Sequence, residues 1–298
     1  MLANLLHVLV TKVVGLTARS LPSVLIMVVL CTVLACFSRQ ACNPGKVWWR
    51  NRGLLLDIGY YVTLKCLAPY LRMGLMIAIA MLCMTFVSAQ QLDDYFRKGG
   101  GLFASYSFWW QVAFHLLIAD FLLYWLHRLF HGARLWRYHA IHHSAEDVDW
   151  TTAYRFHPLN SCFGPYLVDA LMLYLGIAPS VLLALVPFQT IAALFVHTNL
   201  NWTFGPLKYL VATPVFHRWH HTMRDEGGNS NFAPTFPLWD LLFGTFYMPP
   251  KKLPVHYGVD DPTFPSGFFE QLAFPFRRRV PVLGAGPSAI ESAAPRSQ

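Results

Sequence analysis

The chain has 298 residues, of which 55% are apolar and only 13% are charged, and its formal net charge is +8. A typical soluble domain is about 25% charged, so this composition excludes an ordinary water-exposed surface and indicates helices that face lipid. The positive charge does not indicate a nucleic-acid partner, because the basic residues flank apolar stretches, as in membrane proteins that follow the positive-inside rule.

Apolar stretches predict several membrane-spanning helices. A helix needs about 20 apolar residues to cross a bilayer core of about 30 Å. In chain order, the first candidate is residues 21–37, a stretch slightly shorter than the length needed to span. The next candidates are residues 73–92 and 107–126. Residues 163–200 are also apolar, but Gly176 and nearby prolines interrupt them. This pattern predicts a hairpin of two helices that enters the membrane and returns to the same side.

We therefore predict an all-α, multi-pass membrane bundle of about four spans, including the hairpin, with a helical cap. Residues 1–106 are predicted to form N-terminal membrane helices, residues 107–280 a histidine-rich catalytic domain, and residues 281–298 a disordered tail. The cap is rich in Arg and Lys, which predicts a cytosolic location on a bacterial inner membrane or the endoplasmic reticulum. The six cysteines form no CxxC pair, which predicts neither a zinc ribbon nor a disulfide framework.

Histidines are concentrated in one part of the chain. Ten of the thirteen lie between positions 127 and 221. Helix positions three or four residues apart share a face, so closely spaced histidines can direct their imidazoles to one place. Neutral imidazole binds iron, zinc, copper and nickel, and eight histidines exceed the four ligands of one tetrahedral zinc. Most of them form three boxes: His127 and His131; His139, His142 and His143; His217, His220 and His221.

The predicted topology brings the boxes to one membrane face. The first box follows the span at 107–126, the second comes soon after, and the third follows the return of the hairpin. His197, at the returning end, is a candidate ninth ligand. A histidine-rich metal-binding or transport protein is the alternative, although a transporter would place its histidines and acids near mid-membrane. A zinc hydrolase is a third reading, but the boxes lack the acid of HExxH.

Further segments complete a recognisable pattern. In chain order they read HRLFH (127–131), YHAIHHS (138–144), RFHP (155–158), FVHTN (195–199), HRWHH (217–221), NSNFA (229–233) and WDLLFGT (239–245). In order and spacing these segments resemble the fatty acid hydroxylase / sterol desaturase superfamily of integral membrane di-iron enzymes. The resemblance covers about residues 105–250.

The resemblance implies a cap that holds two iron ions, with O2 as co-substrate. Some relatives have a further histidine at the position of Asn201, one helical turn after His197, and Asn201 would bind there through water or leave a position open. Asp120 either orients an imidazole of the first box or is a polar residue buried between helices. His157 is interpreted as a residue that orients a ligand. The implied ligands are His127, His131, His139, His142, His143, His197, His217, His220 and His221.

The function implied is O2-dependent hydroxylation or desaturation of a lipid such as a sterol or a fatty acyl chain. The sequence has no GxGxxG fingerprint, which predicts that a separate cytochrome, ferredoxin or reductase supplies the electrons. The lipid would enter from the bilayer, and no nucleic acid is expected. Candidate wall residues are Phe108, Trp109, Phe114, Tyr124, Trp150, Tyr154, Phe156 and Phe216.

Overall fold

The computed structural model describes residues 21–36, 38–98 and 100–277, together with residues 3, 4, 6, 7, 10, 11 and 14. Within these residues the regular structure is helical, and pairing between extended segments is limited to two isolated β-bridges. The all-α prediction is therefore confirmed. The predicted tail at 281–298 lies outside the described residues.

Among the described residues, three helices are long and apolar enough to cross a membrane: α2 (Leu54–Cys83), α4 (Phe108–Phe130) and α8 (Pro179–His197). The preceding apolar helix, α1 (Leu21–Ala35), has 15 residues. At 1.5 Å per residue α1 is about 22 Å long, which is shorter than a bilayer core. The chain is thus an integral membrane protein, as its composition predicted, and its described residues contain three candidate spans where about four were predicted.

The second span differs from the prediction at 73–92, which was wrong at both ends. Helix α2 begins at Leu54 and already ends at Cys83. The sequence concealed its first half because Asp57, Lys65 and Arg72 interrupt the apolar pattern there. In the structure Asp57 forms a buried ion pair, and Lys65 and Arg72 line a half-open cavity between the helices.

The predicted hairpin is present, and its two arms differ. The first arm consists of three short helical segments. It is kinked at Gly164, whose φ of −112° and ψ of −110° are non-helical. The second arm is the single continuous helix α8. At the turn, Gly176 has a φ of 93°. A Cβ atom on Gly176 would lie 2.8 Å from the Cα of Gly101, so only glycine fits this turn. The segments of the first arm are α6 (Pro158–Ser161), a π-turn (Cys162–Tyr166) and α7 (Leu167–Tyr174).

The cap is built from short helices whose N-termini carry recognisable capping residues. In α9, Pro214 occupies the first turn, and the Thr213 hydroxyl accepts a hydrogen bond from the Phe216 amide at 3.1 Å. A capping box at Asp149 begins the 3₁₀ helix Trp150–Tyr154. The cap helices used below are α5 (Trp136–His143), α9 (Pro214–His220), α10 (Leu238–Leu242) and α11 (Phe268–Ala273); between α2 and α4 lies α3 (Ala89–Lys98).

The N-terminal helices pack directly against the histidine-rich half. Met27 and Cys31 of α1 form one hydrophobic cluster with Leu194 of α8. At the start of α2, Asp57 accepts a hydrogen bond from Arg155 Nε at 2.6 Å, and both side chains are buried. The start of α2 and the ends of α4 and α8 therefore meet at the cap. The division into domains at residue 106 stays a prediction.

Candidate metal centre

The histidines reach the centre from the ends of helices. His127 lies in the last turn of α4, His131 follows that helix directly, and His197 is the last residue of α8. The second box lies on α5, and the third lies on α9 and the residue after it. The predicted convergence of the boxes is therefore what the fold produces, because both spans end at the cap.

The nine histidines separate into two groups. Within each group, one ring nitrogen from every member lies within 4.8 Å of those of the other members, so each group is able to hold a metal ion. Eight of the nine are buried, and His127 is half-buried. The two groups touch where the rings of His143 and His221 stack, with centroids 4.7 Å apart. The first cluster is His127, His131, His139, His143 and His220, and the second cluster is His142, His197, His217 and His221.

Imidazole nitrogens approach one another closely inside both clusters. In the first, His127 Nε2 lies 3.0 Å from His139 Nε2. In the second, His197 Nε2 lies 3.3 Å from His142 Nε2 and 3.0 Å from His217 Nε2. Several nitrogen lone pairs directed at one buried point are the arrangement that a borderline transition metal requires.

Unpaired ring nitrogens also fit a metal. A buried polar atom without a partner is costly, and the described residues leave several cluster nitrogens in that state. Burial lowers the pKa of each cluster histidine outside the spans well below its usual 6.5, so these rings are neutral and suited to ligation at pH 7. In the first cluster the unpaired atoms are both nitrogens of His131 and Nε2 of His143 and His220. In the second cluster the Nδ1 atoms of His142, His217 and His221 are unpaired, but they are the outward nitrogens, since the Nε2 atoms face the other rings.

The outward nitrogens of the first cluster are held by other segments. His127 Nδ1 donates to the Phe232 carbonyl at 2.7 Å, and His220 Nδ1 donates to the Ser230 carbonyl at 2.7 Å. His139 Nδ1 lies 2.8 Å from the side-chain oxygen of Asn160. Such bonds place the proton on Nδ1 and leave Nε2 with its lone pair directed into the cluster.

The second cluster has one such bond, and it lies within a single helix. His197 Nδ1 donates to the Ala193 carbonyl at 2.6 Å. Behind His142, the ring of Phe156 stacks at a centroid distance of 4.0 Å and an interplanar angle of 14°. The second cluster is therefore supported largely by packing.

The three residues predicted to assist catalysis lie outside both clusters. Asp120 Oδ2 accepts hydrogen bonds from the Phe236 amide and from Trp239 Nε1, each at 3.0 Å. His157 caps the start of α6, where its Nδ1 accepts from the Leu159 amide at 3.1 Å.

Asn201 is directed away from the histidines. Its side chain donates to the Arg39 carbonyl at 3.3 Å, and its amide donates to the Gln40 carbonyl at 2.8 Å. It therefore joins the end of the hairpin to the segment that follows α1.

Sequence reasoning missed the residues that hold the carbonyl segment, which we define as Ser230–Ala233. Asp240, which is fully buried, accepts hydrogen bonds from the amides of Phe232 at 2.8 Å and Ala233 at 2.9 Å. Asn231, also fully buried, donates to the carbonyls of Phe216 at 2.8 Å and Tyr247 at 2.7 Å. Both residues lie in segments that resemble the superfamily. That resemblance could have singled them out, but it did not indicate what they do.

Comparison with known proteins agrees with this geometry. The fatty acid hydroxylase family matches residues 112–245, which include all nine clustered histidines. Across these residues, the chain is similar to the fatty acid hydroxylase family. No solved structure matches the chain.

Among curated proteins, the chain is 36% identical over 183 residues to the ornithine lipid hydroxylase OlsE of Rhizobium tropici, covering 60% of this chain and 55% of that protein. It is 36% identical over 159 residues to an alkylglycerol monooxygenase of Xenopus tropicalis, covering 52% of this chain and 33% of that protein. The human alkylglycerol monooxygenase is 34% identical over 168 residues, which cover 56% of this chain and 36% of that protein. The chain thus spans between a third and about half the length of these relatives.

Proposed function

We propose that this chain is a membrane-bound di-iron enzyme that uses O2 to hydroxylate a lipid. The observation that carries the proposal is the division of nine buried histidines into two adjacent clusters, each of which offers at least four ring nitrogens. A single metal ion needs only one such cluster, whereas two iron ions need both. All nine histidines are proposed as ligands.

The proposed division of labour follows from the contacts. When bound, the irons supply the activation of O2 that places one oxygen atom in a C–H bond and releases the other as water, with two electrons from a donor. The protein holds the ring nitrogens in place through the carbonyl segment and Asn160. Asp120, His157 and Asn201 are proposed as positioning residues, because each bonds to a loop or helix end beside the centre instead of entering it.

The names of the relatives favour hydroxylation over desaturation. One is a hydroxylase of ornithine lipid and another is a monooxygenase of alkylglycerol. Both names describe the transfer of oxygen to an amphiphile that carries a polar head. We propose an amphiphilic lipid with a long hydrocarbon chain as the substrate here, delivered from the bilayer between the spans.

Electrons are proposed to come from a separate acidic carrier on the cytosolic side. Lys208, Lys251 and Lys252 surround a groove of about 630 Å³ whose wall includes Trp219. Trp219 lies on α9 next to His220, so a carrier in this groove would dock close to both clusters. Opposite charges steer such encounters, and the same basic groups favour a cytosolic cap.

The test combines metal analysis with lipid analysis. We expect the purified chain, produced with ample iron, to bind two iron ions and the host lipids to contain a product with one added oxygen atom. His142→Ala should remove that product, because it deletes a nitrogen from the second cluster. The matched control is His256→Ala, since His256 is exposed and bonds only to Glu226 in the described structure.

The readouts separate the alternatives. A product that has lost two hydrogen atoms would indicate desaturation. Unchanged lipids from an iron-loaded protein with a reducing partner present, or zinc that iron never replaces, would contradict the proposal. If His256→Ala removed the product as completely as His142→Ala, the clusters would not be the cause.

A further inference from the structure

The segment at positions 231–250, which contains α10, exposes apolar side chains and no charge. A water-facing segment of this length would carry about five charged residues. Here the one charged residue is Asp240, and its side chain is fully buried. An exposed apolar surface without charges indicates a partner other than water. We call the exposed large side chains of α10 and of the residue after it the apolar face: Leu238, Leu241, Leu242 and Phe243.

Helix α10 packs against α4, which is a candidate membrane span. Between ring centroids, Trp239 lies 5.0 Å from Phe121, and Phe243 lies 4.8 Å from Trp125. Trp125 and Leu129 are themselves exposed on α4. The apolar face therefore adjoins the exposed apolar surface of a span, which lipid covers.

The depth of this contact lies within a bilayer core. Helix α4 begins at Phe108, and the exposed Trp109 beside it is typical of the aromatic belt at a membrane surface. At 1.5 Å per residue, Trp125 lies about 25 Å along α4 from Phe108. The core of a bilayer is about 30 Å thick, so α10 meets α4 inside the core and near its edge on the side of the cap.

The polar groups of this segment point toward the protein. The Asp240 carboxylate accepts hydrogen bonds from the amides of Phe232 at 2.8 Å and Ala233 at 2.9 Å, and from the Thr245 hydroxyl at 2.6 Å. A helix on a water-facing surface has its polar side outward and its apolar side inward. In α10 the two sides are reversed, which is the arrangement that a hydrocarbon environment requires.

The same carboxylate connects α10 to the metal centre. The two amides that it holds belong to the carbonyl segment. His127 Nδ1 donates to the Phe232 carbonyl of that segment, and His220 Nδ1 donates to its Ser230 carbonyl. The position of α10 therefore bears on the position of two histidines of the first cluster.

We propose that α10 lies in the membrane leaflet on the side of the cap, that lipid acyl chains cover its apolar face, and that the embedded helix holds the carbonyl segment through Asp240. A helix of this kind lies in the plane of the membrane and is retained by its buried apolar area. The proposal goes beyond the proposed function, since the contact with lipid needs neither a metal ion nor a substrate.

A fluorescent probe at Leu242 tests the contact with lipid. Leu242→Cys is labelled with the polarity-sensitive dye NBD, and the full chain is placed in phosphatidylcholine vesicles with or without bromine on the acyl chains. We expect blue-shifted emission and a several-fold loss of intensity in the brominated vesicles, because bromine quenches only at contact. The native cysteines that are not buried are first replaced by alanine: Cys36, Cys66, Cys83 and Cys162.

Val255→Cys is the matched control for the probe. Val255 is 58% exposed, against 63% for Leu242. Its neighbour His256, however, forms an ion pair with Glu226 at the protein surface, which indicates water. The probe at Val255 should emit as it does in water and keep its intensity in the brominated vesicles.

Hydrogen exchange tests the connection to the carbonyl segment. Leu242→Asp places a charge in the leaflet and should displace α10, so the amides of Phe232 and Ala233 should exchange about tenfold faster. Leu242→Phe keeps the face apolar and should leave their exchange unchanged. Val255→Asp adds the same charge at the exposed position in water and should also change nothing there.

Each result supports or contradicts a stated part of the proposal. Water-like, unquenched emission from Leu242 would overturn it. Apolar emission that brominated lipid does not quench would mean that protein, such as a second copy of the chain, covers the apolar face, and this would overturn it too. Quenching together with unchanged exchange in Leu242→Asp would leave the contact with lipid standing and overturn the support of the carbonyl segment.

Discussion

The two histidine clusters differ in how their outward ring nitrogens are held. In the first cluster, His127, His139 and His220 each bond to a group from a different part of the chain. In the second cluster, His197 bonds within its own helix, and the Nδ1 atoms of the other three have no hydrogen-bond partner among the described residues. Outer hydrogen bonds orient metal ligands and raise their basicity. We infer that the first cluster is preformed and that the second depends more on the metal. The predictions below test whether the two clusters behave in these separate ways.

The largest effect is expected from removing one ligand from each cluster. His143 and His221 stack on each other but belong to different clusters, so His143→Ala and His221→Ala are a matched pair. Each should remove one of the two metal ions and lower lipid oxidation by more than about a hundredfold, because the oxidation needs both ions. Metal per chain and product yield are the measurements.

The fate of the remaining ion tests the comparison itself. In His221→Ala the ion left behind is in the first cluster and should resist a chelator such as bipyridine. In His143→Ala the remaining ion is in the second cluster and should be extracted several times faster. Equal rates of extraction from the two variants would contradict the inference that the first cluster is the more rigid one.

The histidines themselves were predictable from the sequence, but their division between two clusters was not. Helix periodicity places His139 and His143 on one face, and both belong to the first cluster. The same argument covers His217 and His221 in the second cluster. His142 and His220, however, each leave their box to join the other cluster. That exchange depends on how α5 and α9 pack against each other. A local sequence pattern does not predict this packing.

The supports of the first cluster were hidden for a different reason. Two of them are the backbone carbonyls of Ser230 and Phe232, which have no side-chain signature. The second span was also misplaced, because Lys65 and Arg72 broke its apolar pattern. In the sequence, charged residues inside a span look like the end of an apolar stretch. Only the folded structure shows that these side chains line a cavity.

A smaller effect is expected when one outer hydrogen bond of the first cluster is removed. Asn160→Leu deletes the oxygen that lies 2.8 Å from His139 Nδ1. Loss of such a partner lowers metal affinity by roughly tenfold to a hundredfold. We expect this loss at the first cluster alone, measured by competition with a metal-binding dye.

Asn160→Asp is the control for that substitution, since it keeps an acceptor at the same place. It should retain most of the affinity that Asn160→Leu loses. If both variants bind metal as the wild type does, the bond to Asn160 does not support the first cluster. If Asn160→Leu instead weakens the second cluster, the two clusters are not independently supported.

The smallest effect is expected at Asp120, which contacts residues beside the carbonyl segment and does not contact the ligands themselves. Its Oδ2 atom accepts from the Phe236 amide and Trp239 Nε1, and these groups follow the carbonyl segment that orients His127 and His220. Asp120→Asn keeps one carbonyl oxygen but removes the charge, which should lower the free energy of unfolding by about 1 kcal/mol. A fall in apparent melting temperature of about 2–4 °C is the expected result. Because the histidines that bond directly to this segment, His127 and His220, both belong to the first cluster, hydrogen exchange should increase at residues 229–240 and stay unchanged around His197. Equal increases at both places would mean that Asp120 supports the whole bundle and not one cluster.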